Sequence, residues 1–184
     1  DGTTSITYSF LEGACGMSQN TEGWGHPALT DTQTGLPNKL HWDTVFGVIF
    51  AAGDRGIPLT VILLEADGFG EWLDQSSAHE KEVALGALGD AVAATTRQTD
   101  LVARTDESRV AFVLLDCNLA GGRLVADRVD SLLNPVREMT GLSFSMGVAS
   151  YTRDMVKAEQ LFEAAEAALR TAQEKGGDQV EFHG

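Results

Sequence analysis

The stretch Arg97-Gln98-Thr99-Asp100-Leu101-Val102-Ala103-Arg104-Thr105-Asp106-Glu107-Ser108-Arg109-Val110-Ala111-Phe112-Val113-Leu114-Leu115 sets two apolar runs around a short charged cluster. The pattern predicts the end of a helix, a strand, a tight polar turn and a second strand, that is, a β-hairpin. On its N-terminal side, Ala84, Leu85, Leu88, Ala91, Val92 and Thr95 recur at the 3.6 period and predict a helix over 78–97. Further upstream, 59–65 is nearly all apolar and β-branched, as expected of a strand in the middle of a sheet, and its end carries Glu65 and Asp67. Before it, Leu40, Val45, Phe46, Ile49 and Phe50 give the apolar stripe of a helix over 39–54. Residues 68–77 read as a loop with at most one helical turn.

Downstream of the hairpin, a helix over 119–133 is predicted to turn Val125, Val129, Leu132 and Leu133 inward and to stop at Pro135. A strand follows at 143–149, then a strongly periodic helix over 156–174, a Gly176-Gly177 break and a closing strand at 179–182. This order predicts an α/β (α+β) domain: a five-stranded mixed sheet flanked by helices, like nucleotidyl-cyclase and polymerase palms. The domain is expected over 30–184. Residues 1–29, rich in Gly, Ser, Thr and Asn, read as a linker or the tail of an upstream element.

Composition narrows the partners. A chain of 184 residues with 43% apolar content can build one real core. Its net charge of -14, from 27 acidic and 13 basic side chains, argues against coating nucleic acid or an anionic membrane. An anionic ligand would need a local arginine cluster. Cys15 and Cys117 lack metal-like or redox-like spacing, so unpaired thiols in a reducing, cytoplasmic setting are expected. No apolar run reaches the roughly 20 residues that span a bilayer. The chain begins with Asp, and it is expected to be a piece of a longer protein whose membrane or sensor parts lie outside this sequence.

Several phrases resemble the GGDEF family, the bacterial diguanylate cyclase domain. Asp31-Thr32-Gln33-Thr34-Gly35-Leu36-Pro37-Asn38 is similar to its opening D-x-L-T-G-L-x-N, with Gln33 where Leu is usual. Ile62 to Phe69 resembles its first-strand D-x-D-x-F, Ser145 to Ala149 its S-x-G-x-A strand, and Ala164 to Leu169 its A-D-x-A-L helix. The resemblance implies the palm-like fold and, position by position, a degenerate catalytic site. The signature Gly-Gly-Asp/Glu-Glu-Phe aligns with Asp106-Glu107-Ser108-Arg109-Val110. Asp106 and Glu107 restrict the turn and put negative charge where phosphates would lie, and Ser108 lacks the metal-holding carboxylate. Glu65 stands at the metal aspartate position and is a weak metal candidate. Leu73 and Glu82 fall where Asn and Asp would read guanine, and Gln173 and Gly177 fall where Lys and Arg would neutralise phosphate.

What the resemblance implies is retained is an R-x-x-D site for cyclic di-GMP. Arg97 and Asp100 stand five residues ahead of the degenerate turn, and Arg128 aligns with an additional ligand-contacting arginine. An arginine fork suits guanine O6 and N7 or a phosphate, and a carboxylate can accept from guanine N–H groups. Arg104 looks like a structural arginine tied to an acid such as Asp31, and Arg109 is expected to be a solvated turn residue. The expectation is a catalytically inactive receptor for cyclic di-GMP, without cofactor, not requiring Mg²⁺, and acting on an attached domain or separate protein. Ligand charge points to a possible homodimer. The alternatives are a nucleotide-free dimerisation or partner-docking module, and a GTP-binding allosteric domain.

Overall fold

The computed structural model describes residues 26–183. Of the linker reading of 1–29, residues 1–25, and Cys15 with them, lie outside the described residues. Among the described residues, six α-helices and five strands run α1 (Lys39–Phe50), β1 (Leu59–Asp67), α2 (Phe69–Gln75), α3 (Ala78–Ala93), β2 (Leu101–Arg104), β3 (Arg109–Leu115), α4 (Leu119–Leu132), α5 (Asn134–Thr140), β4 (Ser143–Ser150), α6 (Ala158–Glu174) and β5 (Val180–His183). They form one sheet in the order β2-β3-β1-β4-β5. The pairs β2–β3, β3–β1 and β1–β4 are antiparallel, and β4–β5 is parallel, so the sheet is mixed as expected.

Strand β1 is the centre of the sheet. Alternate residues point to opposite faces of a strand. Ile62 and Leu64 therefore join the core beneath α3 and α4, while Val61 and Leu63 join the core beneath α1 and α6. The same parity carries Glu65 toward the α6 side. Gly147 of β4 lets α6 lie close on the sheet, since a Cβ there would meet the backbone of Ala165 and Leu169.

Several expected boundaries shift for local reasons. Helix α1 stops at Phe50, and the chain then turns through a short 3-10 segment at Gly53–Arg55. Its inward face is Trp42, Phe46 and Phe50, whereas Leu40 is 57% exposed. Trp42 wins the place by stacking on Phe46 with ring centroids 4.7 Å apart. Helix α3 opens with a capping box between Ser77 and Glu80 and ends at Ala93. The hydroxyls of Thr95 and Thr96 then donate to the carbonyls of Val92 and Ala93, meeting part of the demand at the helix end. Residues 69–75 form a true helix, α2. Pro135 does not merely stop α4: it lies in the first turn of α5, where a missing N–H is tolerated. Leu132, expected to face inward, is 39% exposed, while Leu133 and Ala126 are fully buried. Val156, expected within the last helix, precedes α6 and is exposed.

Arg104 ties the opening loop to the hairpin. Its side chain, 6% exposed, donates to Asp31 Oδ1 at 3.1 Å, Gln33 Oε1 at 2.6 Å and the Glu107 carbonyl at 2.6 Å. The glutamine at position 33 thus accepts a hydrogen bond that a leucine could not. Burial pushes the Asp31 carboxyl up. The hydrogen bonds from Thr34 and the Arg104 charge more than offset this and hold it below its usual range.

Candidate functional site

Two polar regions lie at opposite ends of β1. The first is where the chain leaves α3 and β3 ends. Arg97, Asp100 and Arg128 line one cleft of about 300 Å³. Its other walls include Pro58, Leu115, Cys117, Asn118 and Leu124. Sequence positions far apart converge there because β2 and β3 fold back as a hairpin and α4 returns across the strand ends.

The two arginines and the aspartate are held differently. Arg97 and Arg128 are exposed, and their guanidinium groups have no hydrogen-bond or ion-pair partner among the described residues. Asp100 is buried, 7% exposed. One of its oxygens accepts from the Arg97 backbone N–H at 2.9 Å, and the other accepts from the Leu115 N–H at 3.3 Å. Asp100 therefore clamps the turn that presents Arg97 and pins it to the end of β3. Burial pushes the thiol of neighbouring Cys117 up, and the Asp100 carboxylate pushes it the same way, so it stays protonated at neutral pH.

The second region surrounds the hairpin turn. Arg109 N–H donates to the Asp106 carbonyl at 3.3 Å, and Thr105 N–H donates to the Arg109 carbonyl at 3.0 Å. Among the described non-glycine residues only Asp116 and Asp178 have positive φ, so this turn closes without a left-handed residue. Arg109 is not the solvated turn residue expected. It sits opposite Glu65 in the β1–β3 register, and its guanidinium reaches Glu65 Oε2 at 2.6 Å and Glu166 Oε1 at 3.0 Å. Its side chain is 23% exposed. Burial works against its charge, but the bonds and attraction of Glu65, then Glu166, raise its pKa above the ordinary arginine value. A Glu65–Arg109 pair across adjacent strands was the available signal. Fixing the hairpin register would have revealed it.

The remaining aligned positions are also engaged. Gln173 donates to Glu65 Oε1 at 3.2 Å. Asp67 Oδ2 accepts from Ser145 Oγ at 2.8 Å, Ser143 Oγ at 3.2 Å and Asp178 N–H at 3.3 Å. Leu73 packs against the core, and Glu82 is exposed on α3. Gly177 has φ +76°, and a Cβ there would lie 2.9 Å from Asp67 Oδ2, so a side chain at this position is strained. The paired Mg²⁺ ions that the resemblance implies do not fit these residues: Arg109 and Gln173 take the Glu65 carboxylate, and hydroxyl and amide donors take Asp67. Among the described residues no group of three or more His, Cys, Asp or Glu side chains could hold a metal ion. No described helix is long and apolar enough to cross a membrane.

Comparison with known proteins agrees with this architecture. YhcK of Bacillus subtilis, an uncharacterised protein, is 27% identical over 160 residues, 83% of this chain and 45% of its own length. Diguanylate cyclase A of Treponema denticola is 22% identical over 160 residues, 82% of this chain and 43% of its own. The chain thus spans less than half the length of these relatives. The GGDEF domain of DgcB from Caulobacter crescentus, solved in complex with c-di-GMP, superposes with a TM-score of 0.76. It covers 86% of this chain and 97% of that one at 17% identity, a likeness of fold. The sequence profile described as the diguanylate cyclase GGDEF domain matches residues 28–179. With its palm-like sheet and its hairpin in the signature position, the chain belongs to the GGDEF family.

Proposed function

We propose that this GGDEF domain binds cyclic di-GMP in the cleft of Arg97, Asp100 and Arg128 and does not synthesise it. The observation that carries the reading is the contrast in arginine use: Arg97 and Arg128 line one cleft with free guanidinium groups, while Arg109 occupies the carboxylate of Glu65. Each free guanidinium offers a planar fork of donors for guanine O6 and N7 or for a phosphate. Asp100 already accepts two backbone N–H bonds, so its first task is to hold Arg97 in place; each of its oxygens keeps a lone pair that can accept from a ligand N–H group. The ligand identity is carried over from the relatives: one is named a diguanylate cyclase and another is solved with c-di-GMP.

The cleft volume of about 300 Å³ is at the small end for ligand pockets, so a dinucleotide would remain partly exposed. The residues at the hairpin end support the reading that the domain has no cyclase activity. Phosphoryl transfer depends on positioning and charge neutralisation, and here the turn lacks its glycines, Glu65 is paired with an internal cation, and Leu73 is a packing residue. The cleft lies at the far end of β1 from that network, so ligand binding there needs no metal held by Glu65.

Calorimetry of the purified domain with cyclic di-GMP and, separately, GTP tests the reading. Binding of cyclic di-GMP is expected with equal affinity in Mg²⁺ and in EDTA. Arg97→Ala is expected to weaken it at least about tenfold, since a charged hydrogen bond contributes about 1.5 to 3 kcal/mol. Incubation with Mg²⁺ and GTP is expected to yield no cyclic product by chromatography. No heat with cyclic di-GMP at about 100 µM, a concentration corresponding to about 5.5 kcal/mol of binding free energy, would remove the receptor role. Product formation would remove the inactivity.

A further inference from the structure

On the α1 and α6 side of the hairpin lies a groove of about 630 Å³, twice the volume of the arginine cleft and separate from it. Its floor is aromatic, with Phe162 half-buried and the core residues Trp42 and Phe46 4% and 7% exposed. Trp42 stacks on Phe46, and Phe162 of α6 meets the Trp42 ring edge-on at 6.1 Å between centroids. Its rim is acidic: Asp43 on α1, Asp106 in the turn, and Glu159, Glu163 and Glu166 on α6. The three α6 carboxylates recur at i, i+4 and i+7, so they share one helix face. The groove's two cations are already bound, Lys39 to Asp43 at 2.6 Å and Arg109 to Glu65 and Glu166. That leaves Asp106, Glu159 and Glu163 exposed and without a cation partner among the described residues. Thr105, also on the groove wall, has a buried hydroxyl with no hydrogen-bond partner among the described residues.

We propose that this groove docks a basic segment of another protein, one that seats a large apolar side chain on the aromatic floor and places lysine or arginine against the α6 carboxylates. Charge selects this occupant over the others. Residues 1–25 carry Asp1, Glu12 and Glu22 and no lysine or arginine, so the chain's own N-terminal segment has the wrong sign. A second copy would bring a further net charge of -14 to an acidic rim. A nucleotide would place phosphates among unpaired carboxylates. A cationic amphipathic segment satisfies both surfaces at once, with the apolar contact supplying affinity and the carboxylates supplying register and rate of encounter. The proposal does not depend on the cyclic di-GMP cleft.

A phage-displayed library of random peptides about 16 residues long, long enough for four helical turns, selected on the immobilised domain, provides the test. Enriched peptides are expected to carry net positive charge and at least one aromatic or large aliphatic residue. A synthetic enriched peptide, followed by fluorescence anisotropy, is expected to bind at least tenfold more weakly to Glu159→Lys/Glu163→Lys. The same charge change on α2, Glu71→Lys/Asp74→Lys, is expected to alter binding less than twofold. Thermal melts of both double variants matching the parent rule out unfolding as the cause. No enrichment, or enrichment of neutral or acidic peptides, overturns the proposal. So does equal weakening by both double variants, which would mean diffuse attraction. A dimer in sedimentation that dissolves in Glu159→Lys/Glu163→Lys assigns the groove to a second copy, and displacement of the peptide by GTP assigns it to a nucleotide; either result also overturns it.

Discussion

At the end of β1 that carries Glu65, a guanidinium is held by two carboxylates, Glu65 at 2.6 Å and Glu166 at 3.0 Å. At the end that begins after Pro58, the guanidinium groups of Arg97 and Arg128 line an open cleft and bond to no side chain described. The two ends teach what decides whether an arginine is paired within the fold or left open. Where opposite charge is supplied by the chain itself, the cation becomes part of the fold. Where the neighbouring carboxylate is spent mainly on backbone N–H groups, as Asp100 is, the cation has no hydrogen-bond or ion-pair partner among the described residues and its donors stay open.

Truncating the arginines at each end separates these roles, and the largest effect is expected at the hairpin. Arg109→Ala leaves Glu65 and Glu166 facing each other without a cation. Losing one partner of a fully buried pair costs about 3 to 5 kcal/mol, and the 23% exposure of Arg109 lowers the expectation to about 2 to 3 kcal/mol in urea unfolding. A loss under about 0.5 kcal/mol, the range of an ordinary surface pair, would show that Arg109 is as solvated as its turn position suggests. Gly177→Ala probes the same end through the backbone. Its left-handed conformation and the approach to Asp67 predict a loss of about 1 to 2 kcal/mol, and a neutral result would mean the loop relaxes freely. At the other end, Arg97→Ala and Arg128→Ala are expected to leave unfolding within about 0.5 kcal/mol of the parent, as surface substitutions do. If either destabilises the domain as much as Arg109→Ala, the distinction between the two ends fails.

The sheet was legible because its signals are local and repeated. The apolar run of β1 and the alternation in β4 name strands by themselves, and the periodicity of α6 names its buried face. The convergence of Arg97, Asp100 and Arg128 was legible only through the family pattern, since nothing in their spacing says that α4 returns beside the α3 exit. The pairing of Arg109 was missed because a turn residue reads as solvated unless its cross-strand partner is known. That partner is 44 residues away. Helix α5 was missed because Pro135 ends one helix and begins another, and a proline signals both. Trp42 was left off the α1 stripe because hydropathy ranks tryptophan below leucine and so favours Leu40, whereas the aromatic stack with Phe46 favours Trp42.

Arg104 stands between the two extremes, and its pH dependence gives the finest and smallest test. Its partner Asp31 has a carboxyl held below its usual range: burial acts to raise it, and the Thr34 hydrogen bonds and the Arg104 charge overcome that. A group whose folded pKa is depressed contributes stability above its unfolded value, about 3.9 for Asp, and loses that contribution as pH falls through the folded pKa. Asp31→Asn keeps an oxygen that can accept from Thr34 N–H, Thr34 Oγ1 and Arg104, so it removes the charge and little else. Arg104 also retains Gln33 and the Glu107 carbonyl. The parent is therefore expected to melt slightly above Asp31→Asn with a constant gap from pH 7 to pH 5, and the gap is expected to close below about pH 4. A gap that persists unchanged to pH 3 would mean that shape rather than charge fixes Arg104, and that the charge pairing so strong at Arg109 plays no part where the opening loop meets the hairpin.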